Sequence, residues 1–221
     1  MAPAKRELTF LLADSERRLL RAVAARLAAG VTPDLLTMLG VLGALGVGAA
    51  YALSRFSAGW LWAASGCLVV QWLGDSLDGT LARVRDKQRP RYGFYVDHIV
   101  DCLGALFLLG GLALSSFMSH GIALGLLIVY LLLSCEVYLA TYTLGKFAIS
   151  FWKFSPTELR ILLAAGNVAL FLNPRAGMTL PGGRYSMFDI GGAIGIVGMA
   201  LVLAVSVVKH TRTLYQSEPA P

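Results

Sequence analysis

Four aspartates, set out as two pairs, are the residues of this chain best suited to chemistry. Asp75 and Asp78 lie near the end of one apolar run, and Asp97 and Asp101 lie near the start of the next. Spacings of i, i+3 and i, i+4 each put both carboxylates of a pair on one helical face, about a turn apart. Two such helices facing each other would bring four carboxylates to one pocket. Each ionised carboxylate at membrane depth costs roughly 2.5–3.5 kcal/mol on an insertion scale, so four together need a compensating partner. Hard oxygen donors call for a divalent cation, and Mg²⁺ typically takes one or two carboxylates plus substrate phosphates. Four carboxylates can hold two ions about 3.5–4 Å apart, an arrangement suited to phosphoryl displacement. One of the four is then left to accept a proton from an attacking hydroxyl.

The neighbours of the first pair fit the same chemistry. Gly79 lets the backbone approach a ligand where the helix is expected to break at the membrane surface. Ala82 is small on the same side, and Arg83 can fork onto phosphate oxygens. The loop 84–92 is basic and would draw an anionic nucleotide to the mouth of the site. Simple anchoring at a membrane surface explains most of its residues equally well.

The elements that must position these groups are read from hydropathy. The chain has 221 residues, 57% of them hydrophobic and 14% charged, and its mean hydropathy is +0.67. A soluble domain carries about 25% charged residues, so this is a membrane composition. Spans are expected at 35–54, 59–78, 93–116, 121–144, 157–173 and 189–208, each near the ~20 residues that a crossing needs. Basic residues crowd the N-terminal segment, the loop after span two, the connection around Lys146, Lys153 and Arg160, and the stretch after span six. Only Arg55, Arg175 and Arg184 fall on the other side. The positive-inside rule then puts both termini and the acidic motif at the cytoplasmic face.

The expected fold is therefore all-α: six transmembrane helices preceded by an amphipathic interfacial helix. Three divisions follow: a cytoplasmic segment over 1–32, a six-helix domain over 33–210 and a cytoplasmic tail over 211–221. In the amphipathic stretch 14–28, Leu19, Leu20, Val23 and Leu27 can share one face while Arg17, Arg18, Arg21 and Arg26 line the flanks. Such a helix suits anionic headgroups, or it docks as a basic helix on the other spans. Thr32 reads as an N-cap with Pro33 at the first helical position of span one. Glycines at three- and four-residue spacing in spans one and six permit close helix approach. The 173–188 stretch is an outer loop with no ligand set. Cys67, Cys102 and Cys135 are odd in number and lie in apolar segments, which argues against a disulfide framework. The charged N-terminus carries no cleavable signal pattern, and neither end carries a lipidation box. There is no Walker loop and no Gly-x-Gly-x2-Gly.

Asp75-x2-Asp78-Gly79-x2-Ala82-Arg83…Gly93-x3-Asp97-x3-Asp101 resembles the signature of the CDP-alcohol phosphotransferases, six-helix integral membrane enzymes. These cleave the diphosphate of a CDP-linked substrate, pass the substituted phosphate to an alcohol and release CMP. Every named position of the signature is filled. One departure exists: nine residues separate Arg83 from Gly93, where the family pattern usually has eight. The resemblance implies that Asp75, Asp78 and Asp97 coordinate divalent ions, Mg²⁺ or Mn²⁺, with Asp101 also near them. It implies that Asp101 is the base for the acceptor hydroxyl, and that Asp75, Asp78, Gly79, Ala82, Arg83 and Gly93 lie against the cytidine diphosphate. Pro33-Asp34-x2-Thr37-x2-Gly40 resembles the start of span one in the family, which adds Thr37 to the nucleotide pocket; Asp34 stands where the family often has asparagine.

Further along, 136–145 and 155–161 resemble the corresponding helices of the choline and ethanolamine branch, as does the Asp97-His98 pair. His98, Glu136, Lys146, Lys153, Glu158 and Arg160 are thus candidates to hold the acceptor or to support the ligands. Glu158 and Arg160 are two apart, off one face, so each should pair elsewhere. Two chemistries fit: phosphatidyl transfer from CDP-diacylglycerol to a small polar alcohol, or transfer of a phospho-amino-alcohol to a lipid alcohol such as diacylglycerol. The Asp97-His98 and Thr157-Glu158 resemblances favour the second, and the compact basic chain fits the first, toward which the reading leans slightly. The expected setting is the plasma membrane and the resemblance implies a homodimer; no nucleic-acid partner is expected. A rival class is a cation or proton transporter using the carboxylates as a relay, and another is a scaffold. Neither explains Gly79, Ala82 and Arg83 at fixed offsets.

Overall fold

The structure, a computed structural model, describes residues 13–144, 156–180 and 183–218. Seven helices appear among them: α1 (Ala13–Arg26), α2 (Pro33–Leu53), α3 (Trp60–Val84), α4 (Pro90–Ala113), α5 (His120–Leu144), α6 (Pro156–Leu172) and α7 (Met187–Ser217). α2 to α7 fall on the six hydropathy segments. Four of them, α2, α4, α5 and α7, are long and apolar enough to cross a membrane, so the chain is a multi-pass membrane protein. α6 has 17 described residues, and Gln71, Asp75 and Asp78 dilute the hydropathy of α3.

α2 is the central packing element, and glycine is what brings its neighbours close. A Cβ on Gly74 of α3 would lie 2.3 Å from the backbone nitrogen of Gly40, and one on Gly111 of α4 would lie 2.2 Å from the carbonyl oxygen of Gly48. Neither position can take a side chain without parting the helices. In α7 the glycines divide: a Cβ on Gly192 would meet Ile122 of α5 at 2.4 Å, whereas Gly191 and Gly198 face open ground. The start of α2 is as the sequence suggests, with the Thr32 hydroxyl accepting from Leu35 N–H at 3.2 Å and Pro33 in the first turn.

The main core joins Val47 and Tyr51 of α2, Leu61 and Leu68 of α3, Leu112 of α4, Leu170 of α6 and Phe188 of α7. One polar chain runs through it. Tyr51 donates to Asn167 Oδ1 at 3.0 Å, and Asn167 Nδ2 donates to Ser65 at 3.0 Å, tying α2, α6 and α3. Asn167 is 1% exposed, so its amide has no solvent to fall back on. Asn167→Ala should lower the thermal midpoint in detergent by the equivalent of about 1–3 kcal/mol, because it strands the Tyr51 hydroxyl. Tyr51→Phe should cost less, since Asn167 keeps Ser65.

Three features depart from the sequence reading. α3 does not break at Gly79 but continues to Val84, because Leu77 and Leu81 are buried against α1 and α2 and the packing outweighs the glycine. In α1, Leu20 and Ala24 are buried with Leu36, Leu77 and Leu81, while Leu19 is 55% exposed and lies off that face; α1 is thus docked on α2 and α3. The 173–188 stretch contains a small antiparallel hairpin, β1 (Gly177–Leu180) and β2 (Gly183–Ser186). Ser186 and Asp189 then form a capping box that starts α7, and Asp189 also accepts from Ser119 N–H at 2.7 Å and its hydroxyl at 2.8 Å. That carboxylate is structural, fixing the hairpin end of α7 to the α4–α5 turn.

Candidate active site

The two aspartate pairs converge. Asp75 and Asp78 from α3, Asp97 and Asp101 from α4, and Thr37 and Gly40 from α2 line one small cavity of about 10 Å³, with Gln71 and Val100. The absence of side chains at Gly40 and Gly74 lets α2 and α3 close around it. Gln71 is a lining residue that the sequence reading missed. Its signal was there: a polar residue in an apolar run, one turn before Asp75 on the same helical face.

The carboxylates are held individually. Thr37 donates to Asp78 Oδ2 at 2.6 Å, and the other oxygen of Asp78 accepts from Gly79 N–H. Arg160 reaches from near the start of α6 to Asp75 Oδ2 at 2.7 Å. The pair is largely shielded, with side-chain exposures of 14% for Arg160 and 26% for Asp75. As the side chains stand, no three acidic, histidine or cysteine groups among the described residues are gathered closely enough to hold an ion. The physical reason is visible in the partners: Asp75 is turned to Arg160, and Asp78 to Thr37 and its own helix. The donor set nonetheless suits a hard cation. Four carboxylates line the cavity, and Arg160 pairs with one of them, Asp75; four such acids on one cavity at membrane depth suit a hard divalent cation.

Of the other predicted nucleotide positions, Ala82 and Arg83 lie in the last turn of α3 and Gly93 in the first turn of α4. Arg83 lies along the bare face of Gly79, its Nη1 3.5 Å from where a Cβ would stand, and donates to Thr80 at 3.2 Å. A Cβ on Gly93 would meet nothing within 4 Å, so packing does not account for that glycine. Gly79, Ala82, Arg83 and Gly93 do not line the aspartate cavity itself. Two arginines of the intervening loop are structural ties. Arg85 donates to the carbonyls of Leu27, Ala28 and Val31 beyond α1, and Arg89 pairs with Asp34.

The other candidates are dispersed. His98 lies tilted over Phe94 and edge-on to Tyr138, at centroid distances of 4.1 and 4.8 Å, and its Nδ1 lies 2.6 Å from the Phe94 carbonyl. Glu136 of α5 pairs with His210 of α7 at 2.6 Å, a link between those helices that sequence spacing could not show. Glu158 sits in the first turn of α6 and does not line the cavity. Lys146 and Lys153 lie outside the described residues. A larger concavity, about 590 Å³, runs along one face of α7 past Val205, Lys209 and Arg212 and shares no residue with the carboxylate cavity. It is a shallow open face, and the acidic cavity is the place with convergent reactive groups.

A phosphatidylinositol phosphate synthase of Cutibacterium acnes is 36% identical over 90 residues, which is 41% of this chain and 41% of that protein. The crystal structure of the phosphatidylinositol phosphate synthase of Mycobacterium tuberculosis with CDP-DAG bound has the same fold. It superposes with a TM-score of 0.56 at 23% sequence identity, over 90% of this chain and 92% of that one. Residues 30–208 match the CDP-alcohol phosphatidyltransferases, transferases of substituted phosphate groups. That match takes in all four cavity aspartates together with Gly79, Ala82, Arg83 and Gly93, and the chain belongs to this family.

Proposed function

We propose that the protein transfers a phosphatidyl group from CDP-diacylglycerol to the hydroxyl of a small polar alcohol and releases CMP. The observation that carries this reading is the convergence of Asp75, Asp78, Asp97 and Asp101 on one cavity in a chain that matches the family across that region. The M. tuberculosis protein was solved with CDP-DAG, and the C. acnes protein is a phosphatidylinositol phosphate synthase; both support a lipid-linked donor and a phosphorylated polyol acceptor. The Asp97-His98 resemblance to the choline branch weighs less, because packing against Phe94 and Tyr138 accounts for His98.

In this reading Asp75, Asp78 and Asp97 would hold two divalent ions, Mg²⁺ or Mn²⁺, with Asp101 beside them. Such ions supply charge neutralisation to the diphosphate when bound. Thr37 holds Asp78 in orientation. Arg83, with Gly79, Ala82 and Gly93 beside it, meets the cytidine diphosphate. Asp101 takes the proton of the acceptor hydroxyl as its oxygen bonds to the lipid-bearing phosphorus. The bond from that phosphorus to the bridging oxygen breaks, and CMP leaves with the electron pair.

The same reading has α2 to α7 cross the membrane six times, with the acidic cavity and both termini at the cytoplasmic face of the plasma membrane. α1 lies at the interface with its arginines toward anionic headgroups. Residues 1–32 are the N-terminal segment, 33–210 the catalytic domain and 211–221 the tail, and two copies form a homodimer. The test is direct. Purified protein with Mg²⁺ or Mn²⁺ should release CMP from CDP-diacylglycerol when offered a panel of polyols and polyol phosphates, and less from CDP-choline or CDP-ethanolamine with diacylglycerol. Silence with every CDP-linked donor, together with ion flux in proteoliposomes that depends on Asp97, would replace the enzyme by a transporter.

A further inference from the structure

One half-buried contact lies outside the signature and outside the cavity. A single carboxylate oxygen of Glu16, on α1, accepts from Trp72 Nε1 of α3 at 2.8 Å and from Thr157 Oγ1 of α6 at 3.0 Å. Trp72 is three residues before Asp75, and Thr157 three before Arg160. The Asp75–Arg160 ion pair at 2.7 Å is therefore within one turn of the Glu16 bridge on both helices. α3 and α6 are joined by two neighbouring polar links, one direct and one through α1.

The helix that carries Glu16 is a fixed support. Its apolar face is anchored by Leu20 and Ala24 against Leu36, Leu77 and Leu81. The chain just beyond it is held by Arg85, which donates to the carbonyls of Leu27, Ala28 and Val31. A glutamate among arginines could sit in water at no cost. Here it is half-buried instead, and it satisfies an indole N–H that would otherwise need another acceptor where α1 packs on α3.

We propose that Glu16 is a positioning residue, which sets the spacing of α3 and α6 so that Arg160 and Asp75 meet at the edge of the catalytic cavity. The inference rests on the transferase reading for its effect on turnover, and on the geometry alone for its effect on spacing. Small misplacements of reacting groups carry large rate penalties, so a loosened bridge acts on the rate constant for chemistry more than on donor binding.

Three measurements test it together. Glu16→Ala should lower kcat for CMP release about ten- to a hundredfold with little change in donor KM, and Glu16→Gln, which keeps the accepting oxygen, should restore most of it. In an Arg160→Ala background Glu16→Ala should add little, since two residues acting through one contact are not additive. Spin labels at Val69→Cys and Leu162→Cys, exposed on α3 and α6, in a background without the three native cysteines, should show a shifted or broadened distance distribution in Glu16→Ala and the native one in Glu16→Gln. Trp72→Phe and Thr157→Val remove one donor each while leaving the apolar anchors of α1, and should give intermediate losses if Glu16→Ala does not fold. Unchanged distances with unchanged kcat, or a loss fully additive with Arg160→Ala, would overturn the proposal. If the wild type turned over no CDP-linked donor, the transferase reading would fall, and the distance distributions would still decide the role of Glu16.

Discussion

Asparagine in place of Asp101 is expected to slow CMP release by about 10²–10⁴-fold, the usual range for loss of a general base. The replacement is nearly isosteric, so the α4 packing around Gly104 and Gly111 should be untouched and the thermal midpoint should hold. What is lost is the ability to take a proton at the cavity that Asp101 shares with the other three aspartates. Donor binding should survive, because the residues proposed to meet the cytidine diphosphate (Thr37, Asp75, Asp78, Gly79, Ala82, Arg83 and Gly93) do not include Asp101. The predicted signature is thus a fall in kcat with a nearly constant donor KM, read by single-turnover CMP release with saturating acceptor. A variant with full turnover would remove Asp101 as the base and shift attention to the remaining aspartates. A variant that loses donor binding instead would make it chiefly a ligand.

The contrast between what spacing could and could not show is instructive at this site. The two aspartate pairs were legible because i, i+3 and i, i+4 spacing fixes a shared face whatever the tertiary fold. That the two faces meet is owed to α2, against which α3 and α4 both pack closely at Gly40–Gly74 and Gly48–Gly111, and aspartate spacing carries no trace of it. The helices themselves were legible from hydropathy, with the ends less so. α3 outruns its apolar segment because its last turns pack on α1 and α2 rather than on lipid, and hydropathy is blind to that kind of burial. Links that join distant parts of the chain left no local trace. Arg160 and Asp75 are 85 residues apart, Glu136 and His210 are 74 apart, and Glu16 is 141 from Thr157. For Arg160 and Glu136, sequence could say only that an ionisable group in an apolar setting needs a partner; for Glu16, among arginines, it gave no signal at all. The partner's identity is a property of the fold. The hairpin at 177–186 was hidden for the opposite reason: eight paired residues with little hydrophobic alternation carry too weak a period-two signal.

Removal of divalent cations should abolish turnover altogether, and the reason is electrostatic before it is chemical. Four carboxylates line the cavity, and Arg160 engages one of them. A diphosphate brought to that place would add negative charge to an acidic excess, in surroundings that screen poorly. Chelation should therefore reduce CMP release to background, and Mg²⁺ or Mn²⁺ should restore it. Binding of Mn²⁺, followed by its electron paramagnetic resonance signal without any substrate, supplies a readout that does not pass through activity. Asp78→Asn and Asp97→Asn should each remove most of that binding. Thr37→Val is the subtler case. Its hydroxyl touches Asp78 at 2.6 Å, so its loss should leave the ligand present but free to turn, and weaken Mn²⁺ binding about 10–100-fold. Should chelated protein turn over at the full rate, the ion reading fails while family membership stands. Should Mn²⁺ bind equally well to wild type and Asp78→Asn, the ions would sit elsewhere, and the cavity would have to hold its acidic excess by proton uptake instead.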